Sequence, residues 1–242
     1  MIKKNITLII LKIFDYYHNK KIVNFIKKKI PHINILFDIG AHKGESIGFF
    51  VNNFKVNYIY SFEPSLSNYN ELKKKILNYS KKFKNINFKI YNYGFGDKKT
   101  NSILNQAIES SSSTFNKINI GSKYYNKKIF YLKNNKGSFF KETASKLDTL
   151  DNFFDENKIK SVDLIKLDTE GYEYFILKGF LKNLNKVKFI IFEHHYDNML
   201  IKNYTFLSIN DLLKKNNFVK IYKSKMPFRK TFEYIYANHS KI

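Results

Sequence analysis

The sequence predicts an α/β fold built on a doubly wound, mainly parallel sheet, and three observations predict it. From Ile33 onward, short apolar runs alternate with stretches of helical period, the pattern of strands joined by crossover helices. Most of these runs end in acidic or glycine residues: Asp38/Gly40, Glu63, Gly96/Asp97, Asp168/Glu170 and Glu193. The last two runs, near 218–222 and 232–236, have no room for a helix between them and are expected to pair antiparallel.

Residues 1–32 read as an N-terminal helical extension and 33–242 as the main domain. Ile2, Ile6, Ile9, Ile13 and Tyr17 recur at spacings of three and four. They predict an amphipathic helix over 3–29, ended by Pro31, with that stripe docked on the domain. Weak contact of the same helix with a membrane surface is the alternative. Strands are expected at Ile33 to Ile39, Tyr58 to Phe62, Phe88 to Phe95, Val162 to Leu167 and Val187 to Phe192. Ser67 is placed to cap a helix carrying Tyr69, Leu72 and Ile76 on one face. Residues 100–145 interrupt the alternation with Ser110 to Ser113, scattered aromatics and no helical period. They read as an insertion of short strands and loops that lids the substrate. Leu147, Leu150 and Phe154 mark a short helix, a second stops near Gly179, and a third spans Phe206 to Lys215.

A chain of 242 residues with 43% hydrophobic content can bury one core of ordinary size. With no cysteine, disulfides, thiolate metal sites and cysteine nucleophiles are excluded. The net charge of +23 is almost all lysine, and Arg229 is the only arginine. Lysine, asparagine, isoleucine, tyrosine and phenylalanine share adenine- and thymine-rich codons, so base composition accounts for much of the charge. Readers of base edges favour arginine, and no specific nucleic-acid partner is expected. No stretch approaches the ~20 apolar residues of a membrane span, and the apolar segment from Ile6 lacks a cleavage site. The expected location is cytoplasmic.

In open α/β sheets, ligands bind beyond the carboxyl ends of the strands, where strand order reverses. The acidic strand ends should therefore meet in one crevice. The first turn, Asp38-Ile39-Gly40-Ala41-His42-Lys43-Gly44, has glycines for a sharp bend. His42 breaks the glycine pattern of a dinucleotide site, and Asp38 would repel a pyrophosphate. An acid there suits a ligand with a positive centre and an amino group, as in S-adenosylmethionine. Glu63 lies nineteen positions beyond Gly44 at the next strand end, the register from which a carboxylate accepts from ribose hydroxyls.

The phrases FDIGAHKGES, YSFEPS, YNYGFGD, SSST, SKLDTLDNFF, DLIKLDTEGYEYFILKG and FIIFEHH occur in the order of FkbM-like methyltransferases. The resemblance runs from about residue 35 to 195 and is most specific at Asp163 to Gly179. It implies a class I methyltransferase (Rossmann-like) sheet, S-adenosylmethionine as donor, and O-methylation of a hydroxyl, often on a sugar or polyketide. It carries Asp38, Gly40, Gly44, Glu63 and Asp97 over as cofactor contacts, with Gly96 beside Asp97. The sequence departs from the family at His42, where a small residue or asparagine is usual and where access of the cofactor is set. It departs again at Gly94, where alanine is common.

Methyl transfer to a hydroxyl needs the acceptor oxygen held near the methyl and its proton removed. Asp168, Glu170, Glu193, His194 and His195 are the bases expected at the rim of the fourth and fifth strands, and a histidine has the best unperturbed pKa. No metal is expected: Asp168, Glu193 and His194 lack a compact ligand spacing. The acceptor is expected to be a small molecule or glycan. An RNA 2′-O-methyltransferase is the alternative, and a non-catalytic binding module on the same fold is the third reading. Base amino-group methylation is disfavoured, since Pro31, Pro64 and Pro227 are the only prolines and none makes the Pro-Pro motif.

Overall fold

The computed structural model describes residues 2–132 and 139–241, with residues 2–12 and 132 described by backbone alone. Helix α1 (Ile2–Lys29) leads into β1 (His32–Ile39), α2 (Glu45–Asn53), β2 (Lys55–Phe62), α3 (Leu66–Lys82) and β3 (Asn87–Tyr91). The next stretch holds β4 (Gly94–Phe95), β5 (Thr100–Ala107), β6 (Lys117–Ile118), α4 (Lys123–Leu132) and β7 (Phe140–Asp148). The chain returns through α5 (Leu150–Glu156), β8 (Val162–Leu167), α6 (Glu173–Lys178), β9 (Val187–His195) and β10 (Leu200–Ile201). It ends with α7 (Phe206–Lys215), β11 (Phe218–Lys225) and β12 (Thr231–Asn238).

The main sheet has seven strands in the order β11-β12-β9-β8-β1-β2-β3. Strands β3, β2, β1, β8 and β9 run parallel, and β12 is antiparallel to both β9 and β11. Strand order reverses between β1 and β8, so the crevice opens at the carboxyl ends of those two strands. Helices cover both faces. On one, Ile22, Val23 and Ile26 of α1 pack with Ile47 and Phe50 of α2 and Leu72 of α3. On the other, Phe153 and Phe154 of α5 pack with Ile176 of α6 and Ile209 of α7. Among the described residues, no helix is long and apolar enough to cross a membrane.

Four local expectations are corrected. The docked face of α1 is His18, Ile22, Val23 and Ile26, whereas Ile13 and Tyr17 are 50% and 58% exposed. The side chains of Ile2, Ile6 and Ile9 lie outside the described residues. A strict three-four stripe drifts around a long helix, and only the carboxyl half of α1 overlies the sheet. The cap of α3 is Ser65, not Ser67, because its hydroxyl accepts the Asn68 N–H at 3.4 Å. The third run splits at Asn92, with β3 in the main sheet and β4 in a second sheet of order β4-β7-β5. Residues 100–145 hold a long antiparallel pair, β5 with β7, and also a helix, α4. Residues 133–138 of this stretch lie outside the described residues.

Candidate active site

Because side chains alternate along a strand, register decides which predicted groups can meet. Asp38 of β1 stands beside Lys166 of β8 and beside Ser61 of β2. Glu193 of β9 stands beside Glu233 of β12, and His195 beside Thr231. All of these side chains point to the face covered by α1 and α2. His194, one residue out of phase, points to the other.

The first turn is built on left-handed backbone at Gly40 (φ 82°), His42 (φ 50°) and Gly44 (φ 81°). A Cβ on Gly40 would stand 1.9 Å from the carbonyl oxygen of Asp168. Gly40→Ala is therefore expected to cost about 3–5 kcal/mol, summing a left-handed alanine and a backbone clash; a urea titration measures it. Glu63 closes the turn. Its Oε2 accepts the His42 N–H at 2.8 Å, and its Oε1 accepts the Ser65 N–H at 2.9 Å. Burial pushes this carboxyl above its ordinary value. The His42 ring bridges outward, with Nδ1 3.1 Å from Glu45 and Nε2 2.7 Å from the Ser110 hydroxyl.

Asp38 is fully buried. Its Oδ2 accepts the Ser46 hydroxyl at 2.6 Å, while Oδ1 and the neighbouring Ser61 hydroxyl have no hydrogen-bond partner. Burial also raises the Asp38 carboxyl. Lys166 lies in the middle of the charged row, 2.6 Å from Asp168. Burial disfavours its ammonium, but Asp168, Asp38 and Glu193 outweigh that and hold it protonated, with its pKa raised. Burial alone would raise Asp168, yet Lys166 overrides it and keeps the carboxyl below its ordinary value. Glu193 goes the other way, driven well above the carboxylate range by burial and then by Asp168 and Glu233.

The loop after β8 turns through Glu170 (φ 49°) and Gly171 (φ 85°). Glu173 anchors it: Oε1 accepts the Thr169 N–H at 3.2 Å, the Thr169 hydroxyl at 3.0 Å and the Gly171 N–H at 3.0 Å. The Tyr204 hydroxyl donates to Glu173 Oε2 at 3.2 Å. The Glu170 side chain lies 3.5 Å from His195 Nε2. On the other side of that ring, Nδ1 is 3.1 Å from the Thr231 hydroxyl and 3.8 Å from Asp197. Nε2 itself has no hydrogen-bond partner. Burial works against the charged ring, but Glu170 and Asp197 outweigh it, so His195 titrates above its ordinary 6.5.

Residues 38–220 match the family model of the methyltransferase FkbM domain. The chain belongs to the FkbM methyltransferase family. An FkbM methyltransferase from Methylobacillus flagellatus KT superposes with TM-score 0.53 and 15% identity, over 85% of this chain and 44% of that one. The chain thus spans less than half the length of that relative. Magnesium protoporphyrin IX methyltransferase from Synechocystis PCC 6803, crystallised with bound SAM, superposes with TM-score 0.52 and 8% identity, over 94% of this chain and 81% of that one. At these identities the likeness is one of fold, a class I methyltransferase sheet. No curated protein matches the chain.

Within this FkbM fold, the structure brings Asp38, Gly40, His42, Gly44 and Glu63 into one turn-and-strand-end group. Asp168, Glu170, Glu193 and His195 form a second group beside it. Gly96 and Asp97 follow β4 of the smaller sheet, where Phe95 packs on Phe62 beside Glu63. Gly96 packs near Tyr172, its carbonyl oxygen lies against Gly179, and Asp97 pairs with Lys178 at 3.4 Å, at the far end of α6. His194 is separated from both groups. It is buried among Tyr196, Tyr204 and Phe206 with Nδ1 unpartnered, and burial pushes it down to about 3. Its surroundings hold that ring neutral.

Sequence reasoning gave no role to Lys166 and Glu173, which lie in its most specific motif, nor to Asp197 and Glu233. Lys166 left a readable sign, since a lysine inside the mostly apolar run Val162 to Leu167 must be paired. Glu233 gave none, because its partner His18 (2.8 Å) lies 215 positions away.

Proposed function

We propose that this FkbM-family chain transfers a methyl group from S-adenosylmethionine to a hydroxyl on a sugar, glycan or small metabolite, with His195 as the general base. The bound cofactor supplies an electrophilic methyl on a sulfonium centre. The residues present fit it. Asp38 keeps a buried acceptor oxygen free for an ammonium group, and Glu63 has lone pairs left for a ribose after its two backbone bonds.

The observation that carries the reading is the unpartnered Nε2 of a buried histidine oriented through its other nitrogen. Thr231 and Asp197 hold the ring by Nδ1, the arrangement that leaves Nε2 to accept a proton. Asp168 serves this role poorly, since the Lys166 ammonium stabilises its charged form. The same ammonium gives Asp38, Asp168 and Glu193 the positive charge they share. Glu170 faces the ring and stabilises it once it is protonated.

The segment before α4 covers this group. The Thr114 hydroxyl donates to the Glu170 carbonyl at 2.7 Å, Asn116 reaches the same oxygen at 3.4 Å, and Ser110 holds His42. It therefore touches both groups and acts as the lid. Glu109, Glu170 and Asp197 line this side together with Lys128 and Lys202, and the carboxylates outnumber the ammonium groups that a phosphate-rich strand would need. That supports a small-molecule or glycan acceptor over RNA, with RNA binding confined to weak, salt-sensitive contacts through surface lysines.

The test is transfer of a radiolabelled methyl group into a fractionated cell extract. Label is expected in the small-molecule or glycan fraction and in none of the RNA. Label in RNA alone, retained at high salt, would overturn the reading. Glu63→Gln places an amide against two backbone donors. It is expected to weaken S-adenosylhomocysteine by about 1.5–3 kcal/mol, the worth of hydrogen bonds to a charged group; calorimetric titration measures it.

A further inference from the structure

Helix α1 is longer than the sheet it covers. Its 28 residues make about 42 Å of helix at 1.5 Å per residue, while the eight residues of β1 span about 26 Å. The docked part begins at His18, which pairs with Glu233 at the rim of the sheet. The helix before His18 therefore projects past the carboxyl ends of the strands. Its sequence there, Ile6 to Phe14, is apolar but for Thr7 and Lys12.

The described side chains of this projecting part, from Ile13 to Tyr17, are largely exposed on the side away from the sheet, while α4 packs against the same helix. Ile13, Phe14, Tyr16 and Tyr17 are 50%, 38%, 51% and 58% accessible. The β11–β12 turn adds Phe228, 74% accessible, with its ring 4.9 Å from Phe14 in edge contact. Phe228 is held at φ 60°, a left-handed conformation that bulky residues rarely adopt and that points to function where the surroundings enforce it. Here Arg229 enforces it, bonding Asp15 of α1 at 2.8 Å. Exposed Lys20 and Lys21 follow Tyr17 on α1, and exposed Lys225 and Lys230 flank the β11–β12 turn.

We infer that this patch is a docking surface for a bilayer carrying anionic lipid. Aliphatic and aromatic side chains inside a collar of lysine are what such an interface takes up, apolar groups among the acyl chains and tyrosines at headgroup depth. A second copy of the chain fits badly, because a symmetric contact would bring two lysine collars together in a protein of net charge +23. The docked orientation puts the rim bearing Glu193 and His195 next to the lipid surface, since Thr231 and Glu233 connect the turn directly to those residues.

Flotation of the full chain with phosphatidylcholine vesicles, with and without phosphatidylglycerol, tests this. Binding is expected only with phosphatidylglycerol, and the double variant Phe14→Ser/Phe228→Ser should weaken it about tenfold or more, the worth of one buried aromatic ring. The same variant should keep its melting temperature and its S-adenosylhomocysteine affinity, which separates this result from any failure of the methyltransferase reading. Three outcomes overturn the inference. One is no flotation with either vesicle. Another is binding that the double variant leaves unchanged, as lysines alone would give on lipid or RNA. The third is a dimer in light scattering that the variant converts to monomer without vesicles.

Discussion

Lys166→Met is expected to destabilise the protein by about 3–5 kcal/mol, the cost of breaking a buried charge group by removing one side of it. Methionine fills nearly the same volume, so packing survives and the electrostatic loss is isolated. Asp38, Asp168 and Glu193 would be left on one buried face without their shared cation. In the native protein, Asp168 titrates below its ordinary 3.8, so its pairing stabilises the fold above that pH and the benefit fades as pH falls through the lowered value. In the variant the sign reverses. The unpaired carboxyls bind protons more readily folded than unfolded, so the penalty is greatest at neutral pH and shrinks as pH falls toward the ordinary carboxylate range. Urea denaturation at about pH 7.5 and about pH 5 would show it. Equal losses at both pH values would mean that Lys166 acts through packing.

His195→Ala is expected to lower turnover by about 10²–10⁴-fold, the usual worth of a general base, with S-adenosylhomocysteine affinity unchanged. Isotopic methyl transfer and calorimetry provide the two readouts. The ring must be neutral to accept a proton, and the carboxylates around it raise its pKa above 6.5. The rate should therefore climb with pH, with a midpoint above that value. Glu170→Gln removes one of those carboxylates and should move the midpoint to lower pH. His194→Ala, by contrast, should act through loss of aromatic packing and leave the pH profile in place. A His195→Ala enzyme with full turnover would put the base elsewhere.

The parallel sheet was legible because strand-end chemistry punctuates it. Asp38 with Gly40, Glu63, and Asp168 with Gly171 each mark a place where an apolar run stops and a turn begins. Period two explains what was not. Glu193, His194 and His195 are adjacent letters, yet only two of them face the charged row, and nothing in three neighbouring polar residues says which. The β11–β12 pairing carried that information. Strand β12 sets Thr231 against His195 and Glu233 against Glu193, across gaps of about forty residues that no local pattern spans. Helix α4 was missed for a related reason: its residues, KYYNKKIFYL, mix lysine and aromatic residues so that the apolar stripe hides among others. Asp97 also belongs to a glycine-acid pair, but the strand it follows, β4, lies in the smaller sheet.

The contact between Gly40 and the Asp168 carbonyl has a mechanical side. Two turns that arise from different strands touch backbone to backbone, with no side chain between them to act as a cushion. The Asp168 N–H also bonds the Ile39 carbonyl at 2.9 Å, so the pair is riveted as well as pressed together. Neither turn has slack to shift relative to the other, and donor and acceptor halves of the crevice keep a constant spacing. The segment before α4 holds both halves through Ser110, Thr114 and Asn116, and it is tied to the rest of the chain by the β6–β10 backbone pair. Beneath the proposed lid, the two turns make a fixed anvil.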